Sequence, residues 1–154
     1  MTNVTTEDTV ERQEKWEAID GIVTPAASAL IAEDHEKLTV TLLFSEVVDG
    51  CDLDLRLEFD CVLGYSVYEE FVHPWETLKS APTLQGRWET YTYPLLEIKN
   101  SRWMASLPNF LLVHPDSLHY RFLTLDEIVD VLCSTPPEVS WVSGRQRKSE
   151  PQKL

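Results

Sequence analysis

The chain has 154 residues and carries 26 acidic against 13 basic side chains, a formal charge of −13. That length suits one domain with tails and a single core that needs neither disulfide nor metal. The last twelve residues hold Arg145, Arg147, Lys148 and Lys153 against Glu150, so they carry +3 and the rest of the chain −16. A body of that charge repels phosphate backbones and anionic lipid, which argues against direct binding to nucleic acid or a membrane. It suits a partner with a basic cleft, because opposite charge steers association.

The first residues, "MTNVTTEDTVERQEKW", have no basic start and no apolar h-region, and no apolar run approaches the ~18 residues of a membrane helix. The expectation is a cytoplasmic protein. Residues 5–20 then predict a short surface helix. Thr5 with Asp8 three later resembles a capping box, and Val10, Trp16 and Ile19 form a thin apolar stripe. Gly21 and Pro25 end it. Residues 21–142 read as a single β-rich domain, and 143–154 as a disordered basic tail.

"SALIAEDHEKLTVTLLF" predicts two strands around a polar turn at Glu33 to Lys37. Leu38, Val40, Leu42 and Phe44 alternate with polar residues, as in a half-buried strand. The next strand, "GCDLDLRLEFDC", alternates just as strictly. Placing Asp49-Gly50, a preferred two-residue turn, at the hairpin tip pairs Phe44 with Leu55, Leu42 with Leu57 and Val40 with Phe59. Asp52, Asp54, Glu58 and Asp60 then line the opposite, water-facing side. The same strand is expected to run on, bent at Gly64, through "YSVYEEF".

Further along, "HPWETLKSAPTLQGRW" is loop-like, and "ETYTYPLLEIKN" is β-rich but interrupted by Pro94. "NSRWMASLPNF" predicts a short helix capped by Asn100 or Ser101 and stopped before Pro108. Strands follow near 118–124 and 128–133, around a turn at Asp126-Glu127, and "STPPEVSWV" is a last extended piece. The sum predicts an α+β domain: a mainly antiparallel curved sheet or roll, its apolar face covered by a helix or a second sheet, with the N-terminal helix and one short internal helix.

No catalytic motif stands out, which leans against an enzyme. The chain has no G-x-S-x-G elbow, no Gly-rich phosphate loop and no H-E-x-x-H. Glu69, Glu70 and His73 sit together, as do His114 and His119, but no second ligand cluster completes a metal site, and no cofactor is implied. The three cysteines, Cys51, Cys61 and Cys133, read as small buried hydrophobes. Carboxylates on an open strand face serve solubility or a basic partner better than catalysis, since nothing there shifts a pKa. The aromatics Trp75, Trp88, Tyr91, Tyr93 and Trp103 fall within thirty residues and could anchor an interface or fill a core. Tyr91 and Tyr93 would share one strand face.

The stretches "LEFDCVLGYSVYEE", "PLLEIKNSRWMASL" and "HYRFLTLDEIVDVLCSTPPEV" together resemble a family of small, uncharacterised bacterial cytoplasmic proteins. The resemblance spans residues 38 to 142, and its motifs are structural, so it transfers no site. It implies a single small acidic domain, akin to immunity partners of secreted toxins. The functional expectation is a non-enzymatic protein-binding domain of the immunity type. It would mask a basic toxin cleft with Asp52, Asp54, Glu58, Asp60, Glu69 and Glu70, and with the aromatic anchors Trp75, Trp88, Tyr91 and Tyr93. The rival expectations are a small-molecule or carbohydrate module or weak hydrolase, using the Trp and Tyr region with His73, His114 or His119, and a homodimer paired through an edge strand.

Overall fold

A computed structural model describes residues 10–44, 53–70, 72 and 81–143. Strands dominate. They are β1 (Arg12–Lys15), β2 (Ser28–Asp34), β3 (Lys37–Leu43), β4 (Leu53–Phe59), β5 (Val62–Glu69), β6 (Leu95–Lys99), β7 (Leu118–Leu123), β8 (Glu127–Cys133) and β9 (Glu138–Ser143). Two short helices, α1 (Arg102–Ser106) and α2 (Phe110–Val113), lie between β6 and β7. The strands form two sheets, ordered β1-β6-β7-β8-β5 and β2-β3-β4-β9, and every pairing within them is antiparallel.

The sheets face each other across one core. Leu38, Val40 and Leu42 of β3 and Leu55, Leu57 and Phe59 of β4 point inward from the smaller sheet. They meet Tyr120 and Phe122 of β7 and Val129, Val131 and Cys133 of β8. Phe59 sits 6.4 Å from the Tyr120 ring and 6.1 Å from Phe122, within the range at which aromatic rings attract. Strand β8 is buried on both faces, which is why its sequence is a nearly unbroken apolar run.

Several expectations are corrected. The antiparallel sheet holds, and of the two covers expected for its apolar face the second sheet is the one that forms, with two small helices. Residues 1–9 of the expected N-terminal helix lie outside the described residues, and its next part is strand β1. Three apolar residues spaced six and three apart cannot bury a helix face, whereas the free edge of β6 offers a ladder of backbone partners. Trp16 closes this arrangement. Its N–H donates to Leu95 O at 3.0 Å, and its ring lies 4.3 Å from Tyr120. The polar sequence of β1, Arg-Gln-Glu-Lys, suits an edge.

The β3–β4 hairpin forms, but two residues away from the expected register. Leu42 pairs with Leu55, Val40 with Leu57 and Leu38 with Phe59. A shift of two keeps every leucine on its side, so the alternation survives while the partners change. The turn at Asp49-Gly50 lies outside the described residues, as do Cys51 and Asp52. Strand β4 stops at Phe59 and does not bend on through Gly64. The chain turns at Asp60-Cys61 and enters the other sheet as β5. Cys61 is exposed there, and only Cys133, of the two described cysteines, is buried.

Candidate functional site

Among the described residues, the expected partner-binding side chains do not form one surface. Asp54 is buried at 1% exposure, so it faces no solvent-borne partner. Its neighbour on that face, Arg56, is basic and exposed. Glu58 and Asp60 are exposed at one end of the molecule, whereas Glu69 and Glu70 lie at the far end of β5 beside Asp126 and Glu127. An eight-residue strand puts about 23 Å between those ends. Among the aromatics, Trp75 lies outside the described residues, as does His73. Tyr91 and Tyr93 share no strand face: Tyr91 is 39% exposed and Tyr93 is buried, with Lys15 Nζ 4.5 Å above its ring. Trp88 packs edge-on against Tyr91 at 5.5 Å, under the Arg87 guanidinium.

The Glu58 and Asp60 end gathers more charge than the sequence suggested. The β2–β3 turn, the β4–β5 turn and the start of β9 meet there. They bring Glu33, Asp34, Glu36, Glu58, Asp60 and Glu138 together, all exposed. The described cationic side chain among them is Lys37, 3.8 Å from Asp60 and itself well exposed, with His35 alongside. Tyr65 Oη donates to Glu33 Oε2 at 3.0 Å, and that carboxylate holds the phenol above its usual range.

A second constellation lies on the other face of the five-stranded sheet, and the sequence reading did not assemble it. Arg121 of β7 stands directly opposite Asp130 of β8, and His119 is two residues away on the same face. All three are buried. Asp130 Oδ1 accepts from Arg121 Nε at 2.8 Å and from His119 Nε2 at 2.6 Å. A carboxylate only accepts, so His119 carries its proton on Nε2, and in the neutral ring Nδ1 is left as an acceptor. Ser101 Oγ lies 2.7 Å from that Nδ1 and donates to it. The same oxygen accepts from Met104 N at 3.2 Å, which makes Ser101, one of the two candidates the sequence offered, the N-cap of α1. Trp103 covers His119 edge-on at 5.8 Å, and Gln13 Oε1 accepts from Arg121 Nη1 at 3.4 Å.

Beside this chain is a cavity of about 350 Å³. Ser101, His119, Met104, Leu111, Ile98 and the Glu97–Lys99 ion pair line it. Among the described residues, the expected aromatic and histidine cluster is represented by Trp103 on His119. His114 instead stacks on Phe110 at 5.3 Å. The signal for the missed residues was present. A tip at Asp126-Glu127 would set Asp130 opposite Leu123, two residues from its observed partner Arg121, but the alternation alone puts His119, Arg121 and Asp130 on one face, and polar residues recurring on one face of an otherwise apolar pair imply a shared partner.

Among the described residues, no group of three or more His, Cys, Asp or Glu side chains could hold a metal ion, and no helix is long and apolar enough to cross a membrane. Buried ionisable groups near the core are shifted. Burial pushes the Cys133 thiol up to about 12, with Cys61 adding to the effect, and burial raises the Tyr120 phenol still further. Comparison with protein-family models, with curated proteins and with solved structures finds no match.

Proposed function

We propose that the chain is a protein-binding domain that engages a basic partner through the acidic end built by Glu33, Asp34, Glu36, Glu58, Asp60 and Glu138. The supporting observation is six exposed carboxylates gathered around Lys37. Such a patch attracts a cationic cleft over a Debye length of about 8–10 Å and raises the association rate. The resemblance to immunity-type proteins gives the reading its most concrete form, an inhibitor that covers the basic active cleft of a toxin. The strand-face version of this idea, with Asp54 in the interface, is set aside because Asp54 is buried.

The test compares three proteins as bait in the native lysate at low salt: wild type, E33Q/E36Q/E58Q/E138Q, and E69Q/E70Q. A specific basic partner held by wild type and by the E69Q/E70Q variant, lost by the fourfold variant, and released by salt supports the acidic end. Equal retention by all three removes it. A second reading, a small-molecule or weakly hydrolytic site, is supported by a separate observation, the cavity where Ser101 and His119 meet.

A further inference from the structure

We propose that Ser101 is a nucleophile that accepts an acyl group from a small ester seated in the adjoining cavity. This rests on the second reading above and shares no residue with the acidic end. Nucleophilic hydroxyls need a base within hydrogen-bond reach and a third group that orients the base. Both are present: Ser101 Oγ to His119 Nδ1 at 2.7 Å, and His119 Nε2 to Asp130 Oδ1 at 2.6 Å. Asp130 fixes the tautomer that leaves Nδ1 free to take the serine proton. The Met104 N–H, donating to the same oxygen, stabilises negative charge that develops there. Ser101 and His119 both form part of the cavity wall, so an ester in the cavity can meet the hydroxyl.

The step balances as ordinary acyl transfer. Oγ attacks the ester carbonyl carbon, and its proton moves to His119 Nδ1. The carbon–oxygen bond to the alcohol breaks, its electron pair leaves with the alcohol oxygen, and that oxygen takes the proton from His119. Water then attacks the acyl carbonyl, returns its proton through His119 to Ser101, and releases the carboxylic acid. One feature makes the cycle slow. The Arg102 N–H is engaged by Glu11 Oε1 and the Met104 N–H by Ser101 itself, so neither serves as a separate donor to the carbonyl oxygen.

The experiment uses the full chain with an alkyl fluorophosphonate and with 4-nitrophenyl acetate. One phosphonate per chain, mapped to Ser101 by peptide mass spectrometry, is expected, with a burst of about one equivalent of nitrophenolate followed by slow release. Ser101→Asn keeps a capping oxygen but has no hydroxyl, and is expected to label at no position. His119→Gln is expected to label at least ~10²-fold more slowly. Circular dichroism shows that each variant is folded. An unlabelled wild-type protein, or labelling unchanged in S101N or H119Q, overturns the proposal. The amide N-(4-nitrophenyl)acetamide separates this from the reading beneath it. If it perturbs cavity resonances in NMR while Ser101 stays unlabelled, the nucleophile is wrong and the cavity reading stands; if it does neither, both fall.

Discussion

The molecule handles charge in two opposite ways. At the acidic end, carboxylates stand apart in water with one lysine among them. On the outer face of the five-stranded sheet, Arg121, Asp130 and His119 are withdrawn from water and joined at a single carboxylate oxygen. Exposed charges are worth little to stability because water and salt screen them, but they act at a distance. Buried charges act only at contact, and removing one strands the others. The acidic end is therefore tolerant of mutation and responsive to salt, and the buried cluster is the reverse.

The sharpest way to break this contrast is Asp130→Ala. Leaving Arg121 and His119 buried without their acceptor is expected to cost about 3–5 kcal/mol, read from urea unfolding. A loss below about 1 kcal/mol would mean that water reaches the cluster. The next effect is alkaline. Cys133 is neutral in the fold with its thiol at about 12, whereas the unfolded thiol ionises near 9. The unfolded chain therefore sheds a proton that the folded chain keeps, and stability is full below pH 9 and falls as pH rises toward 12. Cys133→Val is expected to flatten that slope in a pH series of melts; Tyr120 and Tyr93, also raised, leave a residual slope in the same direction.

Smaller still is the effect of E33Q/E36Q/E58Q/E138Q on stability, expected within about 0.5 kcal/mol and toward stabilisation, because like charges are being removed. Tyr65→Phe is the mildest change. It deletes one exposed hydrogen bond to Glu33 and is expected to leave the urea midpoint where it is in wild type. A large loss from either variant would show that the acidic end is structural.

Two hairpins show what could be read in advance. In β7–β8 the strand limits and the face shared by Arg121 and Asp130 are legible, but a tip at Asp126-Glu127 would pair Asp130 with Leu123, two residues from the register that forms. In β3–β4 the alternation fixes which residues face inward, but a period of two cannot tell one register from another two residues away. The packing of Phe59 against Tyr120 and Phe122 belongs to a distant part of the chain. The same limit hid β1: its polar sequence joins a sheet because β6 has a free edge, a fact of tertiary structure. Ser101 was legible as one of two adjacent cap candidates, Asn100 being the other. Its contact with His119 depended on the α1 segment folding back over β7, which no local pattern announces.

The chain's last described strand, β9, has its partner some eighty residues earlier: Leu55 pairs with Trp141 and Leu57 with Val139. During synthesis, β4 must wait with one side unmated until β9 has been made, so the smaller sheet closes after the larger one has all its strands. A chain halted before Glu138 would offer nascent neighbours an open ribbon to join.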